Sequence, residues 1–441
     1  MNTIRSIIIS AMAVAALAGA QTPPAPPRTY SLKECLDLAF KQSPDLARAQ
    51  SALAVSSASL AAAVGDMLPS VTASSRYSQS GGTVSDDPLV PVGDSLPTHE
   101  AVSDQYGTTL SVSQNLINLP VLAGIGRSVY GRKAAGAAYD QARATLSYDV
   151  HQAYYGLVKL QKALQVALSS VDQSEQQAKR ARLMAQLGSI SRSDLLKIEV
   201  QLTQSKVNLL NARTALRAGQ QALSTLIGLQ AGVAADTALA MPDTSRAPAA
   251  LDSLRAVALE ASPAYRSARN SYRSAAVGAW SSWTAKLPAL TGSYSYGYAN
   301  RRQYQDWDEW RWHDSWTVGL ALTWNVFDGF GTEAAIRKAY AAKRTAEADL
   351  FTARQNVASQ VDQAHQALTA AREQIALVGT LQQQAEEDYR LTSEKYRLGS
   401  ASVLDLLTSQ VTYNQAQLTA TNAICDYHLA EARLRQALGQ W

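Results

Sequence analysis

The segment WTVGLALTWNVFDG, residues 316–329, alternates large apolar residues with small or polar ones and then stops alternating. A two-residue period predicts a β-strand with one apolar face, because successive side chains of a strand point to opposite sides. Asp328 and Gly329 then indicate a turn, after which a helix follows. The predicted apolar face is formed by Trp316, Val318, Leu320, Leu322, Trp324 and Val326.

Three further strands are predicted from the same alternation. Residues 71–79 and 106–115 form a weaker pair in the first half of the chain. The strand just before the quoted segment has an outward face formed by Leu290, Gly292, Tyr294, Tyr296 and Tyr298.

The two strand pairs belong to an internal duplication of the chain. We predict a first repeat at 31–228 and a second at 251–439, joined by a connector at 229–250. The first repeat has the longer insertion between its strands, at 81–103 compared with 300–314. The matching segments are Ser43-Pro44 with Ser262-Pro263, Leu68-Pro69 with Leu287-Pro288, and residues 187–196 with residues 398–407.

Each repeat also contains long helices. After each strand pair, apolar residues are spaced alternately by three and four, the pattern of helices packed as a coiled coil. The predicted helix at 121–187 is about 100 Å long, whereas its return partner at 191–227 is about 55 Å long. The opening helical stretch at 31–67 is as long as that return helix. Stacked end to end, these two shorter helices would match the length of the one long helix.

The N-terminus has the features of a secretory signal peptide. Arg5 precedes an apolar run, and the small residues at 18–20 suit signal peptidase. We therefore predict a signal peptide at 1–20 and a Pro-rich segment at 21–30. No later segment has the roughly 18 consecutive apolar residues of a transmembrane helix.

Composition and charge exclude several classes of protein. The net charge of +4 is spread along the chain, which argues against nucleic-acid binding. Two cysteines, Cys35 and Cys425, cannot build a disulfide scaffold, an iron–sulfur cluster or a cysteine zinc site, and whether they pair with each other stays open. No motif suggests catalysis, so we predict no enzyme activity, no cofactor and no metal site.

Four strands per chain are too few for a closed barrel, because even small transmembrane barrels have about eight. We therefore expect copies of the chain to associate. Outward tyrosines and tryptophans are typical of the aromatic belts of outer-membrane barrels, and seven of the eight tryptophans lie between Trp280 and Trp324. The alternative is a hairpin buried in the core of a soluble protein.

Over essentially the whole mature chain, the sequence resembles the TolC-like outer-membrane efflux proteins of Gram-negative bacteria. Residues 316–329 are similar to the family's strand-to-helix signature, and residues 396–407, YRLGSASVLDLL, are similar to its periplasmic turn. The resemblance implies an internally duplicated, mainly α fold, in which a homotrimer forms a twelve-stranded membrane β-barrel on an α-helical tunnel. It also implies an exit duct in the outer membrane that extends into the periplasm and is closed at its periplasmic tip.

The resemblance implies partners as well. These are a periplasmic adaptor, or membrane fusion protein, an inner-membrane transporter, and the lipid of the outer membrane. The turns Leu187-Gly188-Ser189 and Leu398-Gly399-Ser400 match the tips that meet the adaptor. The exported substrate and the transporter class stay open, and the alternatives are a periplasmic adaptor or a structural coiled-coil protein of the envelope.

The two helix turns also have a structural interpretation that does not depend on any family. Gly188 and Gly399 stand where a long helix ends, as a C-cap glycine does. Ser191 and Ser402 each precede an aspartate by three residues, which is the spacing of a capping box. We predict a helix cap at each of the two turns.

The resemblance also implies that a periplasmic gate lies at these turns. Asp405 matches an acidic ring that narrows the pore, while Thr408 stands where a second acid is usual. Asp194 and Tyr396 match positions that hold neighbouring helix pairs together in the closed state. The basic partner expected at Ala401 is missing, and Arg192 of the first turn is our candidate substitute.

Overall fold

A computed structural model describes residues 28–85, 98–229, 232–237, 250–303 and 312–440. The predicted signal peptide lies outside these residues, as do most of the Pro-rich segment and parts of the two strand-to-strand loops. Among the helices described, none is long and apolar enough to cross a membrane.

The elements follow one order twice: two short helices, two long strands, a long helix and a return helix. The first half comprises β1 (Arg28–Tyr30), α1 (Leu32–Gln42), α2 (Pro44–Gly65), β2 (Ser70–Ser85), β3 (Thr98–Ile117), α3 (Leu119–Gln186) and α4 (Arg192–Leu226). The second comprises β4 (Val233–Ala235), α5 (Leu251–Ala261), α6 (Pro263–Thr284), β5 (Ala289–Gln303), β6 (Trp312–Thr323), α7 (Gly331–Arg397) and α8 (Val403–Ala437). The predicted duplication, the four long strands and the long helices are confirmed.

Each opening helical stretch is divided at its Ser-Pro pair, since proline lacks the N–H that would continue a helix. Ser31 caps α1 through a full capping box: its Oγ accepts from the Glu34 N–H at 3.3 Å, and its own N–H donates to Glu34 Oε2 at 2.8 Å. The second repeat differs. Its helix α5 has Ala250 at the N-cap with no side-chain bond, and Asp252 lies in the first turn.

The chain folds as two compact units, which we name by their contents. The turn unit comprises the described residues within Met1–Ser43, Thr145–Pro248 and Ala364–Leu434. The sheet unit comprises those within Pro44–Ala144, Ala249–Gln363 and Arg435–Trp441. Each of the long helices α3 and α7 contributes residues to both units.

The predicted heptad seams form the cores of these units. In the turn unit, Leu146, Val150 and Leu157 of α3 are buried. In the sheet unit, Val357 and Val361 of α7 are buried at matching spacing. Many other buried positions are alanines, and small side chains let neighbouring helices approach closely.

Both cysteines are buried in the turn unit as free thiols, so the open question of a disulfide is answered for this structure. Burial raises the pKa of Cys35 to about 11 and that of Cys425 to about 11. A thiol that is both buried and protonated reacts slowly.

A small parallel sheet was missed by the sequence analysis. β1 pairs with β4, so Arg28 lies opposite Val233 and Tyr30 opposite Ala235. The three residues of β4 are buried, and the hydroxyl of Tyr154 accepts a hydrogen bond from the Asp236 N–H at 3.2 Å. Strands of three residues are too short for a periodic signal, which is why both were assigned to irregular segments.

Candidate functional site

The four long strands form one antiparallel sheet in the sheet unit, in the order β2-β3-β5-β6. Its register places large apolar residues on one face, because residues directly opposite each other share a face. Leu320, for example, is 72% exposed. The apolar face includes Val71, Tyr77, Leu110, Val112, Leu290, Tyr294, Tyr296, Tyr298, Trp316, Val318, Leu320 and Leu322.

The opposite face of this sheet is polar or small. Tyr294 lies opposite Val318, whereas the neighbouring Ser293 lies opposite Gly319. A soluble sheet normally buries its apolar face and exposes its polar one. The other side of the sheet is formed by Thr72, Ser74, Arg76, Ser78, Gly107, Thr109, Ser111, Thr291, Ser293, Ser295, Ser315, Thr317, Gly319 and Ala321.

Both edges of the sheet are long. β2 has 16 residues and pairs on one side with β3, while β6 has 12 residues and pairs on one side with β5. A strand paired on one side leaves alternate N–H and C=O groups without a strand partner, and such an edge is a template for another strand.

In the turn unit, the two helix turns have the same C-cap geometry. At the end of α3, Gly188 has a φ of 73°, and the Ser189 N–H donates to the Met184 carbonyl at 2.8 Å. At the end of α7, Gly399 has a φ of 78°, and Ser400 makes the equivalent bond at 2.9 Å. Both are Schellman motifs, so the predicted role of the two glycines as helix C-caps is confirmed.

The tips of both turns are exposed. Leu187 is 81% exposed and Leu398 is 76% exposed, although leucine normally contributes to a core. An added Cβ at Gly188 or Gly399 would meet no atom within 4 Å. The tips therefore present small, accessible apolar surfaces, and the proposed docking residues lie on them.

Asp405 lies in a reciprocal cap of α8. The Ser402 N–H donates to Asp405 Oδ2 at 3.1 Å, the Ser402 hydroxyl donates to the same oxygen at 2.7 Å, and the Asp405 N–H donates to Ser402 Oγ at 3.1 Å. The hydrogen bonds from the Ser402 side chain and backbone lower the pKa of the Asp405 carboxyl below its usual range.

Asp194 has the same side-chain bonds with its capping serine at the start of α4, and it also contacts a lysine. The Asp194 N–H donates to Ser191 Oγ at 3.0 Å, and Lys197 Nζ lies 3.0 Å from Asp194 Oδ1. Hydrogen bonds from Ser191 and Lys197 lower the pKa of Asp194. Lys197 thus neutralises the acid of the first turn, whereas no such lysine contacts Asp405 among the described residues.

One hydrophobic cluster brings the two turns together. Tyr396 packs against it, and burial, followed by the nearby charge of Asp194, raises the pKa of the Tyr396 phenol. Arg192 is the first residue of α4 and is exposed. The cluster contains Ala178, Ala181, Ile198, Leu202 and Val403, with Ile190, Leu195, Tyr396 and Leu407 packed around it.

The sequence analysis missed a buried glutamine cluster between α3 and α8. Gln410 is 0% exposed; its amide donates to Gln173 Oε1 at 3.1 Å, and its oxygen accepts from Gln177 at 3.1 Å. Beside it, Tyr389 and Tyr413 stack with ring centroids 5.5 Å apart. The signal was present, because Gln410 falls at heptad spacing from Val403 and Leu406.

Within the described ranges, no group of three or more His, Cys, Asp or Glu residues is placed to hold a metal ion. The notable surfaces are instead the sheet with one apolar and one polar face and the two exposed helix turns.

Solved structures of outer-membrane channels have the same fold. The Campylobacter jejuni CmeC outer membrane channel is 18% identical, with a TM-score of 0.79, over 92% of this chain and 85% of that one. CusC is 16% identical, with a TM-score of 0.79, over 96% of each chain. The open state of the Neisseria gonorrhoeae MtrE outer membrane channel is 19% identical, with a TM-score of 0.76, over 93% of this chain and 89% of that one.

The fold is therefore that of the duplicated outer-membrane channels. The chain belongs to the outer membrane efflux protein family, which matches residues 35–229 and 254–440. The family is one of outer membrane efflux proteins, and the CmeC and MtrE structures are of outer membrane channels. No curated protein sequence matches the chain significantly.

Proposed function

We propose that the chain forms the outer-membrane exit duct of a tripartite efflux or type I secretion system. In this proposal, a homotrimer crosses the outer membrane as a β-barrel and continues into the periplasm as a helical tunnel. The tunnel is closed at its periplasmic tip until an adaptor and an inner-membrane transporter engage it. The observation that carries the proposal is the sheet that exposes an apolar face.

The two faces of the sheet suit lipid on one side and water on the other. Transmembrane barrels alternate apolar residues facing lipid with polar residues facing the lumen. Val318, Leu320 and Leu322 would face lipid, whereas Thr317 and Ala321 would face the lumen. In water the apolar face would be a large exposed patch, which is uncommon on a soluble monomer.

The two long edges support association of several copies, and the family similarity selects three. An open sheet edge is not stable in lipid, because its N–H and C=O groups have no water to bind. Pairing β6 of one copy with β2 of the next would satisfy both edges. Three copies of four strands then give a barrel of twelve strands. Two copies would give a barrel of eight strands and would also pair every edge. The similarity to the channel family favours three.

The exposed turns are suited to docking. Helices α3 and α7 have 68 and 67 residues, so each is about 100 Å long by the rise of an α-helix. Leu187 and Leu398 at their ends are too exposed to be core residues and are available to an adaptor. Asp405, which no lysine of the described part of the chain contacts, is our candidate for the acidic constriction. Asp194, Tyr396 and Arg192 are candidates for contacts that hold the tip closed.

Thiol labelling of two adjacent strand positions tests the proposal. In a chain whose Cys35 and Cys425 are replaced by alanine, Leu320→Cys would face lipid and Ala321→Cys the lumen. In native membranes we expect a small charged maleimide to label Ala321→Cys but not Leu320→Cys, and a lipid-soluble maleimide to label Leu320→Cys. Equal labelling of both by the charged reagent would contradict a membrane-embedded sheet. Native mass spectrometry of the extracted protein would separate a trimer from a dimer.

A further inference from the structure

A cavity of about 220 Å³ lies in the turn unit, where α3, α7 and α8 meet. It is smaller than the roughly 300–1,000 Å³ of pockets for drug-sized ligands, so a molecule with a single ring suits its size. Its lining includes Gln177, Arg180, Met184, Tyr389, Tyr396 and Arg397.

Two arginines of this lining have no ion partner. Arg180 of α3 and Arg397 of α7 make no salt bridge and no side-chain hydrogen bond with any described residue. The acid of the lining, Glu394, is engaged by Arg390 at 3.2 Å. A guanidinium pairs well with a carboxylate, because its two parallel N–H groups match the two oxygens. The cavity therefore has two cationic groups available to a carboxylate.

The duplication shows that the fold does not require this arginine pair. By the register of the two tip turns, Arg180 corresponds to Leu391 in the second repeat, and Arg397 corresponds to Gln186 in the first. Both counterparts form the same long helix without a cation. The two arginines are thus a property of this cavity rather than of the helical scaffold.

A buried acceptor also lines the cavity. The side-chain amide of Gln177 donates to Gln410 Oε1 at 3.1 Å, within the buried glutamine cluster. The other side-chain atom, Gln177 Oε1, is buried and has no hydrogen-bond partner among the described residues. Because buried polar atoms in folded proteins are almost always hydrogen bonded, this oxygen favours a ligand that brings a donor.

The remaining lining is aromatic and apolar. Tyr389 and Tyr396 line the cavity together with Met184 and Leu406. A stack with Tyr413, with ring centroids 5.5 Å apart, holds the ring of Tyr389 in place. Phenol rings and a thioether make favourable contacts with an aromatic ring. Burial raises the pKa of the Tyr389 phenol, so that it stays neutral and does not repel an anion.

We propose that this cavity binds a small aromatic carboxylate that also carries a hydrogen-bond donor. The carboxylate pairs with Arg180 and Arg397, the ring lies against the tyrosines, and the donor reaches Gln177 Oε1. Since the two arginines belong to different helices, a bound ligand joins α3 to α7. The inference goes beyond the proposed function and does not depend on it, because all of these residues lie in one unit.

The same lining disfavours a simple inorganic anion. Chloride or phosphate at the two arginines would leave the Gln177 oxygen without a donor and the rings of Tyr389 and Tyr396 without a contact. A ligand with a charge, a ring and a donor matches all three parts of the lining.

Binding of 4-hydroxybenzoate to the purified full chain in detergent tests the proposal, with titration calorimetry and saturation-transfer NMR as the measurements. Two related probes each lack one recognised group. Benzoate lacks the donor, and 4-hydroxybenzyl alcohol lacks the carboxylate. We expect 4-hydroxybenzoate to bind most tightly of the three and to raise the thermal midpoint of the chain.

Matched variants assign the binding to this cavity. The double variant Arg180→Gln and Arg397→Gln should bind 4-hydroxybenzoate about tenfold more weakly or worse, since it loses hydrogen bonds between charged groups. Arg182→Gln is the control, because Arg182 also lies on α3 but contacts Glu199 at 2.9 Å and does not line the cavity. It should bind the probe as wild type does.

A further variant tests the acceptor. Gln177→Met removes the oxygen while keeping a side chain of similar length, so 4-hydroxybenzoate should lose its preference over benzoate. Circular dichroism of each variant shows whether the helices are retained.

Three results would overturn the proposal. These are equal binding by wild type and the double arginine variant, binding of the alcohol as tightly as the acid, and no binding by wild type at millimolar probe. A cysteine at Ser393 of the lining, in a chain without Cys35 and Cys425, tests a protein occupant. If an adaptor protects Ser393→Cys from a maleimide and 4-hydroxybenzoate does not, the small-molecule assignment is also wrong.

Discussion

The hydroxyl of Ser402 lies 2.7 Å from the Asp405 carboxylate, in a capping box that closes the first turn of α8. This contact ties the candidate gate residue to the helix end. Asp405 therefore has a structural role whether or not it lines a pore, and an experiment on the gate has to separate the two roles.

The first prediction separates charge from capping at Asp405. In planar bilayers, Asp405→Asn should lose cation selectivity and the blockade by trivalent cations from the periplasmic side, because the anionic ring is removed. Ser402→Ala removes the hydroxyl of the cap but keeps the charge, so blockade should persist. Asp194→Ala should have the smaller effect on blockade, since Lys197 already neutralises Asp194. Wild-type blockade in Asp405→Asn would leave Asp405 as a capping residue only.

The pH dependence of the same cap has a defined sign. Because bonds from Ser402 lower the pKa of Asp405 in the folded chain, the stability they contribute is present above the unfolded value of about 3.9. It is lost as the pH falls through the lowered folded value. We expect the heat stability of wild type and Ser402→Ala to differ more at pH 6 than in strong acid, as measured by circular dichroism, because only the bond from the Asp405 N–H to Ser402 Oγ is independent of pH. A difference that persists unchanged in acid would contradict this assignment.

A second prediction compares two glycines with similar backbones and different surroundings. Gly399→Ala should cost about 1 kcal/mol, because only the left-handed backbone opposes the new Cβ. Gly439 has a φ of 70°, but an added Cβ would lie 2.7 Å from the Ala261 carbonyl oxygen. Gly439→Ala should therefore lower the thermal midpoint clearly more. Equal effects of the two substitutions on the thermal midpoint would show that the residues around Gly439 move to accommodate the new Cβ at no cost.

The tip turns should also control docking. Gly188→Trp or Gly399→Trp should reduce crosslinking to the adaptor and export together, while trimers remain in the membrane. Gly399→Asn is the backbone control, because asparagine tolerates the left-handed region and adds little bulk. Undiminished crosslinking in a Gly399→Trp trimer that does not export would remove docking from the explanation.

Charge placement should distinguish the two faces of β6. Leu320→Arg puts a charge on the proposed lipid face, where the cost is about 2–4 kcal/mol at the middle of a bilayer and less near its surfaces. Ala321→Arg puts the same charge on the polar face, where water is available. We expect loss of heat-resistant trimers on unheated gels for the first variant and retention for the second. Trimers retained equally in both would contradict the face assignment.

The buried glutamine cluster should contribute to the stability of the turn unit. Gln410→Ala removes the partner of both Gln173 and Gln177 and should cost about 1–3 kcal/mol, since groups that stay buried lose their hydrogen bonds. Gln415→Ala on the exposed side of the same helix is the matched control and should be nearly neutral. Thermal denaturation in detergent measures both; a neutral Gln410→Ala would mean that water replaces the lost bonds.

The strands and seams were predictable from the sequence because each has a strong period. Leu320 and Val361 lie on the faces that the periods of two and three-and-a-half residues assign to them. The turn caps were predictable because Gly399 and Ser402 have local physical roles. The pairing of strands β1 and β4 was not predictable, because it joins Arg28 to Val233 across the whole of the first repeat.

The contacts at the end of β6 and in the turn after it show another limit of sequence reasoning. The two-residue period put Trp324 on the apolar face of the strand, whereas β6 ends at Thr323, and the hydrogen bond of Trp324 to Lys286 depends on how strand and helix meet in space. Likewise, Gly329 predicted a turn, whereas the left-handed conformation of Phe330 has no sequence signal. Gln410 was overlooked because a polar residue in an apolar seam is read as an interruption until its partners are known.

In the proposed assembly, a single chain with the free edges β2 and β6 is not the end point of folding. A newly made copy carries two templates that accept any extended peptide, so correct pairing competes with aggregation. Closing the proposed barrel requires several copies to meet. The rate of closure therefore rises more steeply with protein concentration than the rate of the first pairing between two copies. The stability of the finished ring likewise belongs to the assembly and depends on how many copies are present. The edge N–H and C=O groups that would close the channel can also pair wrongly before the copies meet. The protein is therefore most easily lost to aggregation during its synthesis and delivery.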